Sequence, residues 1–223
     1  MDHFPEPHII RSKRKTISLV ITPEAQLIVR APMKTSFVYI EQAVAEKSHW
    51  IQKKIDHIRR NGGPHRAKQF IDGEEFLYLG EMFSLRLVNN QQHITIGQQL
   101  YFPQKFLPTA KHHLTKWYIV KAKEIIPQRA EVYRQLSGWQ YRALNITRAE
   151  KRWGSCSPNG TINFSWKLMM TPIEVIDYVV VHELAHLVQK NHSSKFWKLV
   201  ESIIPEYKKR RLWLRQNQNQ LVL

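Results

Sequence analysis

A single cysteine, Cys156, stands in 223 residues. That scarcity excludes an internal disulfide framework and a multi-cysteine zinc knuckle, and it favours a reducing compartment. Long apolar runs are missing as well, since no segment approaches the roughly 20 apolar residues needed to span a bilayer. The opening stretch MDHFPEPHIIRSKRK places two acids and two prolines before any apolar run, which is not the order of a secretion signal. The expectation is a soluble, cytoplasmic protein with no membrane partner. Acidic residues are few, 18 against 34 basic ones. Divided at residue 103, the first part carries a net +4 and the second +12. A field of that sign attracts nucleotides, nucleic acid or acidic surfaces, yet net charge alone specifies no site.

What is present supports a packed core: 43% of residues are apolar and 11% aromatic. KTISLVITPEAQLIVRAP predicts a hairpin, with Ile17, Leu19 and Ile21 alternating, a break at Pro23 and Glu24, and Leu27 and Val29 alternating again. Thr35 or Ser36 then caps a helix reaching about Arg59, closed by NGGP at 61–64. Residues 69–103 have strand texture (FLYLG, FSLRLV, HITIG), with turns at Asp72-Gly73 and around 89–92. A long helical pattern from Lys105 to Leu136 is interrupted by Pro127, which should kink or end it. Two short strands, 144–148 and 151–155, lead through SPNGT to INFSWKL, the Asn-Gly pair marking a hairpin. Thr171 and Pro172 read as the cap and first residue of a further helix. Two helical segments separated by Pro205 complete the chain. The expected fold is α+β, with an N-terminal β-hairpin/helix/β region over 1–103 framing a cleft and a core over 104–223.

The helix from Pro172 is apolar over most of its circumference, so it should be central and buried. Within YVVVHELAHLVQKNH it carries His182 and His186 one turn apart on one face, with Glu183 near the same side. Burying a carboxylate and two imidazoles without partners costs several kcal/mol. A divalent metal satisfies them, with two neutral imidazoles at about 2.1 Å from Zn²⁺ and Glu183 placed to take a proton from metal-bound water. The spacing is H-E-x-x-H inside a helix, as that chemistry requires. A third protein ligand is needed, and His192 is the best placed, because the chain can leave the helix after Asn191 and fold back. Glu201 and Glu206 are alternatives.

RWGSCSPNGTINFSWKL followed by IDYVVVHELAHLVQKNHSSKFW resembles the YgjP-like metal-dependent hydrolases, a group related to the WLM and SprT proteins among the zincin-type metallopeptidases. The resemblance implies a minimal zincin-like core of backing helix, small sheet, metal helix and C-terminal helix. It implies His182, His186 and His192 as zinc ligands and Glu183 as general base. Metzincins share the histidine spacing, but their turn glycine is Gln189 here and no methionine turn follows.

Other residues take lesser roles. In zincin-like folds a strand before the metal helix pairs with an extended substrate, and either Trp153 to Ser155 or Asn163 to Ser165 would form that edge. Arg152 and Tyr207 are candidates to stabilise an oxyanion. Cys156 is either a fourth ligand or a small apolar filler. His65, His112 and His113 read as solvated, and Phe196 and Trp197 as core anchors. The runs RSKRK and KKRR read as solvated faces or as phosphate contacts beside Trp213. The function these residues point to is a zinc hydrolase acting on a peptide or protein. One alternative is a nucleoside-triphosphate pyrophosphatase using Mg²⁺, Mn²⁺ or Co²⁺, an activity attributed to relatives, and the other is a nucleic-acid-associated protease or binding protein.

Overall fold

A computed structural model describes residues 6–22, 25–60, 68–221 and 223. The chain forms two compact units, Met1–Ala67 and Lys68–Leu223.

In the first unit the expected hairpin is present, β2 (Ser18–Ile21) running antiparallel to β3 (Leu27–Pro32). Its turn residues Pro23 and Glu24 lie outside the described residues. A strand not foreseen, β1 (His8–Ser12), lies parallel to β3 on its other side. The single expected helix is two, α1 (Phe37–Glu46) and α2 (Ser48–Arg60), with a break at Lys47. Ser36 caps α1 by accepting from the Tyr39 amide. Leu27, Val29 and Ala31 of β3 close a small core on Ile40, Ile51 and Ile55. The closing NGGP lies outside the described residues, as does His65.

The second unit begins with a four-stranded sheet in the order β4-β5-β7-β6, formed by β4 (Glu75–Tyr78), β5 (Glu81–Val88), β6 (Thr95–Ile96) and β7 (Leu100–Pro103). A six-residue 3₁₀ helix (Gln104–Thr109) leads into α3 (Ala110–Ser137), a 28-residue helix that continues through Pro127. Its buried stripe of Leu114, Tyr118, Ala122, Ile126 and Ala130 runs unbroken past the proline, so packing overrides the local preference. Gly138 ends it in the left-handed conformation. A three-stranded sheet follows, β8-β10-β9, built from β8 (Ala143–Thr147), β9 (Gly154–Cys156) and β10 (Thr161–Ser165). Next come α4 (Ile173–Ala185), α5 (Ser194–Ile203) and α6 (Tyr207–Asn217). The architecture is α+β, with the backing helix, small sheet, histidine-bearing helix and C-terminal helices in the order expected.

The expected boundary at 103/104 differs from the division at 67/68. Phe70, Phe76, Leu85, Leu100 and Phe102 belong to the same core as α3 and α4, and the Tyr118 hydroxyl donates to Leu77 O at 2.5 Å. The first sheet is therefore part of the unit that carries the histidine-bearing helix α4. Thr171 also departs from its expected role. It makes no cap contact with α4, and its hydroxyl donates back to Leu168 O at 2.9 Å. Among the described residues no helix is long and apolar enough to cross a membrane.

Candidate metal centre

Helix α4 is buried along nearly its whole length, from Val175 through Ala185 except His182, because it lies in the centre of the second core. His182 and Glu183 are in its last turn, and His186 is its C-terminal cap residue. Beyond it the chain turns tightly, with Leu187, Val188 and Gln189 amides bonding back to Leu184 and Ala185 carbonyls. Asn191 stabilises the return, its Oδ1 accepting from the Ser193 amide and from Gln189 Nε2. That return brings His192 to the other two histidines.

The three rings converge, with one nitrogen of each within 4.8 Å of the others. Nε2 of His182 and Nε2 of His192 are 3.0 Å apart. Two nitrogens at about 2.1 Å from one tetrahedral ion would be about 3.4 Å apart, so the spacing fits after a shift of a few tenths of an ångström. His186 Nδ1 lies 3.1 Å from Gln189 O, and in the tautomer that donates this bond Nε2 keeps its lone pair free. Burial, together with the neighbouring rings, pushes His182 down to about 3, and burial lowers His186. Both imidazoles are therefore neutral at pH 7, as ligands must be. His182 Nδ1 is buried and has no partner. The donor set fits a soft-to-borderline divalent ion.

Phe196 of α5 is the floor of this cluster. It is fully buried, and its ring centroid lies 4.9, 4.5 and 4.8 Å from those of His182, His186 and His192. Trp197 stacks on His192 at 5.7 Å and on Tyr207 at 5.2 Å, and the Arg211 guanidinium sits 4.7 Å above the same indole. Glu183 is only 5% exposed, and desolvation raises its carboxyl to about 8.

The remaining expected site residues divide. Of the two proposed edges, β9 is the edge strand and lies against α4, whereas Asn163 is in the central strand β10. Asn163 cannot offer its backbone to a substrate. Its side chain instead bridges the sheet, donating to Ser155 Oγ at 3.3 Å and accepting from Asn145 at 3.2 Å. Trp153 is half-buried just before β9, its carbonyl accepting from the Ser165 amide. Arg152 is exposed. Tyr207 is buried in the aromatic stack, facing Trp197 and Tyr178. Cys156 lies in β9 and is not one of the clustered ligands. Glu201 and Glu206 are paired instead with Lys208 and Lys209. Of the solvated histidines, His113 is stacked on Phe106 at 3.8 Å.

Two residues at the site were not foreseen in that role. Phe196 reads in sequence as an ordinary core anchor. Gly154 is a glycine between Trp153 and Ser155, and that setting within a strand is the only signal it offered.

A model of the YgjP-like metallopeptidase domain matches residues 15–217. One solved structure, the metallopeptidase zymogen abylysin of Pyrococcus abyssi, is similar at 26% identity with a TM-score of 0.39, covering 42% of this chain and 96% of that one. No curated protein matches. With nearly its full length matched and a histidine cluster able to hold a divalent ion, the chain belongs to the YgjP-like metallopeptidase family and is a metal-dependent hydrolase of that kind.

Proposed function

We propose that the chain is a zinc peptidase in which His182, His186 and His192 hold the ion and Glu183 is the general base. The observation that carries this reading is the convergence of three imidazoles beside one buried carboxylate. When bound, the cation supplies the positive charge that polarises a peptide carbonyl and acidifies the attacking water. Glu183 accepts that water's proton on its carboxylate and returns it to the leaving amine nitrogen. Its burial supports the role, because a desolvated carboxylate is a stronger base than one in bulk water. The free edge of β9, adjacent to Glu183, offers backbone groups for an extended peptide. Phe196 and Trp197 keep water from the protein side of the imidazoles.

Phosphoanhydride chemistry with Mg²⁺ or Mn²⁺ favours oxygen donors, and no carboxylate joins the three histidines among the described residues. The donor set thus supports peptide over nucleotide hydrolysis. The test is metal analysis of the purified protein with turnover of a quenched fluorescent peptide mixture and of nucleoside triphosphates. His186→Ala and His192→Ala should lose metal, and Glu183→Gln should keep it while losing turnover at least 100-fold. A Glu183→Gln protein as active as wild type would refute the general-base role. Nucleotide turnover without peptide cleavage would transfer the site to the second chemistry. Binding to DNA that weakens steeply with salt would add a nucleic-acid partner.

A further inference from the structure

Gly154 occupies a position where its backbone asks for no glycine. Among the described residues the positive-φ glycines are Gly73, Gly80, Gly138 and Gly160, and Gly154 is not one of them. Any residue could adopt its conformation, so what glycine contributes there is the absence of a side chain. A Cβ built on Gly154 would lie 2.6 Å from both Glu183 Cγ and Glu183 Oε1 and 2.8 Å from Glu183 Cδ. Those distances are shorter than any non-bonded carbon contact, so something would have to move.

Neither backbone is free to do so. Gly154 pairs with Phe164 and Cys156 with Ile162, and both of those β10 residues are fully buried. The Ser165 amide donates to the Trp153 carbonyl at 2.8 Å, fixing β9 at its other end. On the opposite side, Val180, Val181, Leu184 and Ala185 seat the last turn of α4 in the core. The part with rotatable bonds is the Glu183 side chain itself.

We infer that Gly154 is a positioning residue for the general base: the missing side chain in β9 lets the Glu183 carboxylate lie against that strand. This rests on the reading of Glu183 as the base. A methyl group at 154 displaces the carboxylate first, since the three atoms nearest that Cβ position all belong to Glu183. A misplacement of about 1 Å at a reacting group costs on the order of 100-fold in rate.

The test uses Gly154→Ala in the full-length chain. Metal content should remain that of wild type, kcat on the fluorescent peptides should fall roughly 10- to 100-fold, and KM should stay within about threefold. The contact is read separately from urea midpoints of metal-free wild type, Gly154→Ala, Glu183→Ala and the double variant. Alanine at 154 should lower the midpoint when Glu183 is present and leave it unchanged when residue 183 is alanine. Equal losses in both backgrounds would show that the two residues do not meet, and wild-type kcat in Gly154→Ala would show that the contact does not set the base. Either result overturns the inference. An active Glu183→Gln protein would instead remove the general-base reading while the midpoints still report the contact.

Discussion

Glu183 has its carboxyl where water hardly reaches, and this should be visible in stability before any substrate is added. Its folded value of about 8 lies above the 4.5 of an exposed glutamate, so between those pH values the folded state binds a proton that the unfolded state has lost. Stability from this group is complete below about pH 4.5 and falls as pH rises to about 8. His182 works in the opposite sense, gaining stability from about pH 3 to 6.5 because it is buried neutral. Comparison of metal-free wild type with Glu183→Gln isolates the first effect. The glutamine variant should be the more stable by an amount that grows from pH 5 to pH 8, measured by urea denaturation, reaching several kcal/mol at about 1.4 kcal/mol per tenfold change in acidity. Phe196 makes a second residue-scale case. Its full burial predicts a loss of about 3–5 kcal/mol for Phe196→Ala. Because the ring supports all three imidazoles, zinc affinity measured by competition with a chelator should also fall about 10- to 100-fold. A variant that lost stability but kept its affinity would make Phe196 a core residue and nothing more.

Helix α4 is held at both ends by close approaches that leave little play. At its start Gly80, in the β4–β5 turn with a left-handed φ of 85°, would put a Cβ 2.7 Å from the Pro172 ring. The neighbouring Leu79 amide donates to Met169 O at 2.7 Å. Midway, Arg129 of α3 holds Asp177 with two hydrogen bonds of 2.6 and 2.7 Å. Asp177 is 5% exposed, so removing its partner leaves a buried charge. Arg129→Met should cost about 3 kcal/mol, the low end of the range for such pairs, since the Arg129 side chain is 31% exposed. Arg129→Met with Asp177→Leu should recover most of that loss by thermal denaturation, because an apolar pair fills the same space. The histidine spacing of α4 was legible because helical period and imidazole chemistry are both local properties of the chain. The parallel pairing of β1 with β3 was not, as it is decided by a partner distant in sequence, nor was the break at Lys47, where the amide bonds back to Val44 and Ala45 carbonyls and no glycine or proline marks the place. The reach of His192 was readable from the Asn191 turn, whereas the contact of Gly154 with Glu183 exists only once β9 has docked on α4.

At the scale of the chain there are two hydrophobic cores, which have no member in common among the described residues. Leu27, Val29, Ala31, Ile40, Ile51 and Ile55 form one, and the other extends from Phe70 to Leu221 with the histidine cluster at its edge. The basic excess of the C-terminal half therefore belongs to the unit that carries the histidine cluster. A division at 103/104, which the change from strand to helix texture suggests, would separate β4–β7 from α3. Phe76 and Phe102 would then be removed from Leu114 and Tyr118, and the Tyr118 hydroxyl would lose the Leu77 carbonyl. Such a cut leaves a buried polar group unpaired and the apolar stripe of α3 open to water, two costs that a domain of marginal stability does not survive. Residues 68–223 expressed alone should fold cooperatively and bind one zinc ion with the affinity of the full chain, because every ligand and its support lie within that unit. Residues 104–223 should instead be insoluble or should melt without a cooperative transition. Circular dichroism melting and zinc titration of the two fragments distinguish these outcomes, and a cooperatively folded 104–223 would show that the first sheet is dispensable to the core.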